Sequence, residues 1–530
     1  MKQDLLKVFT VSMLAAAISA CGGDDDDDKA PTTQNPSNPT PASGYNLSAN
    51  PDFVFDQTTY VGAVDPAATE KWFDFAMAGS YPATASAIDT ASGSAGKFSP
   101  NVTFSPDVTN ITPATACPDV PGNNNLSVGQ SADTPVVSLG GKSFVVCEVS
   151  GTVTEDVALS NNVIWSLVDR VNVGNGNGLQ TADTTFASPD LTIAAGTIFM
   201  NKAGSSLVVT RGAKIIAEGT ASQPIVMSGI ATTDKFGENE EWGGLVLQGY
   251  AYHNKCGDFT KETVCNIPGE GASGYFGGFN NADSSGSLKY VIVTEAGKEI
   301  ANGDELNGIG FMGVGYGTTV DYVQIHNNKD DGVEFFGGAV DAKHLVLTGV
   351  KDDDIDWDEG YVGNIQYALI VKYQNQESTG NHLFELDTKG DALESQYQES
   401  NPTVANVTAI ADLSTAVYGA GKLGDGIHLK EGSEGQFFNI LIAGDVNNCV
   451  LVKDDTVQST VAKANNNVID SAFQNVHCVA VNEQSNGSKY TLESLVSATS
   501  VTLNDNLAAT SIPSVTATIA SAEIDGTATN

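Results

Sequence analysis

From Ile309 onward, short apolar strands return at a nearly fixed spacing. Ile309, Val333 and Ile355 lie 24 and 22 residues apart, and a second set, Val320, Val340 and Val362, follows at 20 and 22. No 3.6-residue periodicity accompanies them, so the repeat unit is built from strands alone. A unit of that length cannot bury its own apolar face and must stack on copies of itself, which predicts a solenoid. A leucine-rich repeat has a similar period but needs a fixed Leu/Asn framework that is missing here. The same alphabet of β-branched runs and Gly/Asn/Asp/Thr turns begins near residue 145, as in Leu191-Thr192-Ile193, Leu207-Val208-Val209 and Lys214-Ile215-Ile216-Ala217. After Ile355 the spacing widens to 29 and then 43 residues, which predicts loops around Tyr373–Asn381 and Gln396–Asn401.

Five stretches can be stacked in register: 307–311, 331–335, 353–357, 382–386 and 425–429. Aligned on their apolar third and fifth positions, they form a first polar column of Asn307, Asp331, Asp353, His382 and Asp425. A second column reads Gly310, Glu334, Asp356, Glu385, His428, and a third reads Met312, Phe336, Asp358, Asp387, Lys430. Alternation along a strand turns Phe311, Phe335, Trp357, Leu386 and Leu429 inward and the acidic columns outward onto one surface. Neighbouring strands lie about 4.8 Å apart, so stacked carboxylates repel unless something compensates them.

Part of the first column is accounted for by bends, where Asn and Asp cap turns. The mid-strand acids need more. One remedy is a divalent cation, calcium first, held by Asp331, Glu334, Asp353, Asp356, Asp358, Glu385 and Asp387, since calcium takes six to eight oxygens. The segment 354–360 supplies acids at alternate positions, although it is not an EF-hand. The other remedy is protonation, which gives paired carboxyls for a polysaccharide hydrolase; catalytic candidates are then Asp353, Asp356, Asp358, Glu334 and Glu385, assisted by His428 and Lys430. An inverting hydrolase needs carboxyls about 6.5–9.5 Å apart, roughly two coils. His326 and His344 read as surface or turn residues. Tyr361, Tyr367, Tyr373 and Tyr397 could offer stacking surface for sugars, while Trp357 faces inward.

The formal charge of −39, from 64 acidic and 25 basic residues, argues against nucleic acid or an anionic membrane surface as partner. Lys2 and Lys7, the apolar run 8–17 and then Ile18-Ser19-Ala20-Cys21 form an export signal. No other stretch approaches the roughly 20 apolar residues of a spanning helix. Six cysteines remain in the exported chain: Cys117, Cys147, Cys256, Cys265, Cys449 and Cys478. Sequential pairing closes loops of about 30, 10 and 30 residues, one of the fifteen pairings that six cysteines allow. No spacing resembles a zinc site. The organisation is 1–20 signal peptide, 21–44 acidic and Pro-rich tether, 45–144 N-terminal cap region, 145–490 solenoid and 491–530 C-terminal cap or tail. Asp65–Ala76 reads as a short helix, and Phe53, Phe55, Trp72 and Phe73 as aromatics covering the first coil.

The small residues before Cys21 resemble the lipobox of bacterial lipoproteins, which implies a lipidated Cys21 and anchoring to the outer membrane, at its periplasmic face or the cell surface. The runs 191–198 and 207–220, with Trp242-Gly243-Gly244-Leu245-Val246-Leu247, 287–291 and 317–324, resemble bacterial lipoproteins with a right-handed parallel β-helix of the pectin-lyase-like type. That resemblance implies an all-β solenoid with an N-terminal capping region and a disordered tether, and it brings no settled activity. Against a lyase, the chain has only Arg170 and Arg211, neither near the ladder, where such enzymes commonly use an arginine. The reading is a binding or scaffold component of the cell envelope, touching the membrane only through its lipid, with a polysaccharide or an outer-membrane protein as partner. The alternative is a carbohydrate-active enzyme, a hydrolase before a lyase. Cys21→Ser is expected to leave the protein unprocessed or to release it to the soluble fraction on cell fractionation; a variant as firmly membrane-bound as wild type contradicts lipidation at Cys21.

Overall fold

The computed structural model describes residues 50–81, 107–229, 242–258, 264–300, 304–372, 382–388, 399–411, 424–444, 446–452, 471–480, 495–497 and 507–508. The signal, the tether, and the loops expected at 373–381 and 396–398 lie outside these. Among the described residues there is no α-helix, only a 3-10 turn at Asn254–Asp258, and no helix is long and apolar enough to cross a membrane. The short strands Ile309–Met312, Val333–Phe336, Ile355–Asp358, Phe384–Leu386, Ile427–Leu429 and Val450–Val452 pair in parallel, each with the next. A second parallel series runs Gly286–Thr294, Thr319–His326, Asp341–Thr348, Asn364–Lys372, Thr403–Ala411, Gln436–Gly444 and Ala472–Ala480. The chain is a parallel β-helix.

Each long strand turns a corner at one residue. Tyr290, Tyr322, His344, Tyr367, Asn406, Asn439 and Asn475 all have φ between 50° and 65°, and each sits at the gap in the register between flanking pairs. Left-handed backbone is costly for most residues and least so for Asn. The aromatic members recover part of that cost by stacking: Tyr290 on Tyr322 (4.5 Å), Tyr322 on His344 (4.2 Å) and His344 on Tyr367 (4.9 Å). His344 is therefore a half-buried rung rather than a surface residue. His326, expected at a surface or turn, is buried with Nδ1 2.9 Å from Thr348 Oγ1.

Inside the coil the expected column is present. Phe311 stacks on Phe335 at 5.0 Å, Phe335 on Tyr361 at 4.3 Å, and Trp357 on Phe437 at 6.1 Å. Trp357, Leu386 and Leu429 are fully buried, and burial of such side chains contributes roughly 1.5–3 kcal/mol each. Tyr361 belongs to this core, its hydroxyl donating to Val340 O (2.8 Å), so it offers nothing to a sugar. The three disulfides follow chain order: Cys117–Cys147, Cys256–Cys265 and Cys449–Cys478.

The N-terminal end of the solenoid is closed by antiparallel strands. Leu126–Gln130 and Val136–Leu139 both pair with Lys142–Val153, whose other edge carries the first parallel partner. Covering the open edge in this way removes a template for association. Residues 50–81 do something else. They form no helix at Asp65–Ala76, only turns, and they lie as a strap along later coils rather than over the first. Phe55 packs on Ala405 and Phe438, and Phe73 joins a cluster with Val346, Leu369 and Val371. Gly62 (φ 90°) brings the strap close enough that a Cβ there would lie 2.6 Å from Thr408 Oγ1, which accepts the Ala63 amide at 2.8 Å.

Asn406 joins corner and strap, donating to Thr58 Oγ1 (3.0 Å) and Gly62 O (3.1 Å). Asn406→Ala takes this donor from the buried Gly62 carbonyl and leaves Thr58 Oγ1 with Asn439 Nδ2 as its amide donor, and is expected to cost about 1–3 kcal/mol in denaturant unfolding, with faster proteolysis within 50–81. Unchanged protection of the strap contradicts this anchoring role.

Candidate functional site

The parallel register sets the three polar columns one rung above another, and the first column is the most conventional. Asp331 Oδ1 accepts the Asp353 amide (2.9 Å), Asp353 Oδ1 accepts the His382 amide, and His382 Nδ1 accepts the Asp425 amide (2.7 Å). Each side chain thus caps the backbone of the next coil, as bend residues do. Asn448 Nδ2 continues the series onto Asp425 Oδ1 (2.7 Å).

The columns do not form an open acidic surface, as their alternation suggested. Asp331, Glu334, Asp353, Asp356, Asp358, Asp387 and His428 are all buried, and Glu385 is nearly so. At the upper end Met312 and Phe336 pack against Ile267, Phe276 and the Cys256–Cys265 bridge, so the hairpin Ile267–Gly269 with Gly274–Phe276 roofs that part of the ladder. Below it, carboxylates crowd together. Asp331, Glu334 and Asp356 bring donor oxygens within 4.8 Å of one another, as do Asp353, Asp356 and Glu385, so Asp356 belongs to both triads. Asp356 Oδ1 is buried with no hydrogen-bond partner among the described residues. Glu334 accepts from Asn307 Nδ2. Asp330, Asp331 and Asp352 form a third group on the flank.

Lys430 stands at the lower end, with Nζ 3.1 Å from Glu385 Oε2 and 3.7 Å from Asp387 Oδ2. Asp358 and Asp387 occupy the third column, outside both triads. Asp354, read from the sequence as one of the alternating acids, turns the other way and pairs with Lys372 Nζ (3.1 Å), both side chains fully buried. Sequence reasoning also missed Glu270, whose charge reaches Glu334 from the roofing hairpin, and the flanking Asp330 and Asp352. Adjacency to column residues was a signal for the last two; nothing signalled Glu270, 64 residues from Glu334 in the chain.

Electrostatics follow from burial without counter-charge. Burial first, then Glu270 and Asp356, pushes the Glu334 carboxyl well above the usual carboxylate range. Burial raises Asp331, Asp353 and Asp356 likewise, reinforced by Asp352, Glu385 and Asp331 respectively. At Lys430 burial opposes the charge, but Glu385, Asp387 and Asp356 outweigh it and raise the pKa. His382 is lowered well below its ordinary value, chiefly by burial. An all-oxygen cluster with a buried, unpartnered oxygen fits a hard cation such as calcium.

A family model described as a pectate-lyase like beta helix domain matches residues 151–520. The chain belongs to that family. The match covers more than two-thirds of the sequence and includes every residue of the ladder. No curated protein and no solved structure matches the chain. Membership of this family establishes the β-helix and leaves the activity to be argued from the site.

The ladder imposes a pH dependence whose sign is opposite to ordinary acid unfolding. A carboxyl with a raised folded-state pKa holds its proton longer in the folded chain, so stability falls as pH rises through the window between the unfolded and folded values. That window opens near pH 4 for ordinary carboxyls and reaches at least about 7, the value to which burial raises Asp352 and Asp354. Asp425 and Glu359 run the other way: burial opposes their charge, but His428 and His253 respectively outweigh it and lower them, so their contribution is lost only at more acid pH. The chelator-treated protein is therefore expected to melt higher at about pH 5 than at about pH 8. A melting temperature that rises steadily from about pH 5 to 8 contradicts protonated ladder carboxyls.

Proposed function

We propose that this protein is an exported cell-envelope component, lipid-anchored at Cys21 to the outer membrane, whose β-helix carries a divalent cation in the carboxylate ladder, calcium first. Its role is binding or scaffolding, with a polysaccharide or an outer-membrane protein as partner. The observation that supports the cation most is Asp356, shared by two carboxylate triads and left with a buried oxygen that has no hydrogen-bond partner among the described residues. Five carboxylates in that volume have Lys430 as their close counter-charge among the described residues, which is too little for all to be ionised at neutral pH. A divalent ion supplies two charges and takes the oxygens that crowd there. The anchor rests on the residues before Cys21 alone.

A hydrolase needs the same carboxyls in a different arrangement. Within each triad the oxygens lie inside 4.8 Å, less than the about 6.5–9.5 Å over which an inverting pair brackets a sugar and its water, so a hydrolase would have to pair acids two rungs apart, Glu334 with Glu385. Lys430, which would have to engage an anionic sugar, is already paired with Glu385. Calcium at a hundredfold excess over Kd is expected to stabilise the chain by about 2.7 kcal/mol, raising the melting temperature. Asp356→Asn should remove most of that rise, and the exposed Asp65→Asn should not. Indifference of the wild-type melting temperature to calcium and chelator, together with stabilisation by Asp356→Asn, would mean a protonated ladder without metal and would favour the hydrolase.

A further inference from the structure

Imidazoles replace carboxylates at the lower end of the ladder, and their hydrogen bonds give that end a different chemistry. His382 holds the first-column place between Asp353 and Asp425, and His428 holds the second-column place paired with Glu385. The two rings lie 4.2 Å apart, centroid to centroid. His382, Asp425 and His428 each bring a donor atom to within 4.8 Å of the others, and all three are buried.

The tautomers can be worked out from the partners. An ionised carboxylate only accepts, so His428 Nδ1, 2.8 Å from Asp425 Oδ2, carries the proton and the lone pair lies on Nε2. That Nε2 is buried and has no hydrogen-bond partner among the described residues. His382 is the reverse case. Its Nδ1 accepts the Asp425 amide at 2.7 Å, which puts the proton on Nε2, 3.6 Å from Glu385 Oε1. Asn448 in turn holds Asp425 through Oδ1. Both Nδ1 atoms therefore face Asp425, 2.8 Å (His428) and 3.6 Å (His382) from its Oδ2, the first holding a proton against the carboxylate and the second a lone pair on the Asp425 amide.

We infer that His382, Asp425 and His428 form a site for one borderline transition-metal ion, with zinc as the reference, separate from the oxygen-only triads above it. Two imidazole nitrogens and one carboxylate are a donor set that such an ion takes at about 2.0–2.2 Å, whereas calcium takes oxygen alone. An ion shared by all three takes Nδ1 of each imidazole with Asp425 Oδ2, so its binding displaces the Asp425 amide from His382 and the proton from His428 Nδ1, and the His428 Nε2 lone pair is free to take that ring's proton in exchange. Occupancy here does not depend on a cation in the triads, so the two sites can fail independently.

The test is titration of the chelator-stripped full chain with Zn2+ and Co2+, counting bound metal by mass spectrometry and following the visible ligand-field bands of Co2+. One Zn2+ per chain is expected, retained in excess calcium, with a Co2+ spectrum showing nitrogen ligation. His428→Gln should weaken Zn2+ binding by more than the about 10–100-fold typical of losing an outer-shell partner, while any calcium-dependent rise in melting temperature persists. Asp356→Asn should leave Zn2+ binding unchanged. Circular dichroism separates misfolding from ligand loss, and His382→Asn provides a second variant with the same expected loss. Zn2+ binding equally weak in wild type and both histidine variants, Zn2+ displaced by calcium, or Zn2+ lost in Asp356→Asn would each overturn the inference.

Discussion

Parallel, in-register stacking places every side chain about 4.8 Å from its counterpart on the next coil, so a coil's neighbours multiply whatever it puts at a position. For apolar and amide groups this is favourable. Phe311 lies on Phe335, Tyr290 on Tyr322, and Asn475 Nδ2 donates to Asn439 Oδ1 at 3.1 Å. For carboxylates the same repetition is unfavourable, and burial makes it worse because water no longer screens the charges. The ladder is where the register of the fold and the chemistry of its side chains are in conflict.

The conflict is resolved differently along its length. In the first column Asp331, Asp353 and His382 each accept a backbone amide from the next coil, so those two acids gain a donor. Lys430 neutralises part of the charge at the lower end, and imidazoles take over beyond Glu385. Elsewhere an isolated buried acid finds a cation of its own, as Asp354 does with Lys372, or Glu359 with His253 and Lys255. Around Asp356 only the charge of Lys430 is felt, Oδ1 has no hydrogen-bond partner among the described residues, and burial favours the protonated carboxyl. That contrast within one chain sets the triads apart from the ordinary acidic surface that the net charge alone would suggest.

Much of the frame was legible because it is periodic. Five short strands, their register and the inward column Phe311, Phe335, Trp357, Leu386 and Leu429 follow from one alignment on apolar positions; the six cysteines signalled disulfides, while their sequential pairing was one of fifteen left open. What was not legible depends on contacts between distant segments. The strap at 50–81 has no period of its own, and its partners Gln324, Gln366, Asn406 and Thr408 lie hundreds of residues away. Burial of the ladder was hidden for the same reason, since alternation tells which side of a strand a residue faces but not what covers that side. Asp354 was misplaced because it sits just before a strand, and Tyr361 because it lies in the turn between two strands, where alternation is no guide. The choice between proton and cation is a matter of occupancy, which a sequence does not encode directly.

Proton release on calcium binding tests the central claim most directly, because a cation can enter the triads only by displacing the protons that hold their charge down. In weakly buffered solution near neutral pH, calcium added to the chelator-treated protein should bind and acidify the solution together, and Asp356→Asn should diminish both. Absence of binding, or binding with no release of protons, would contradict the account.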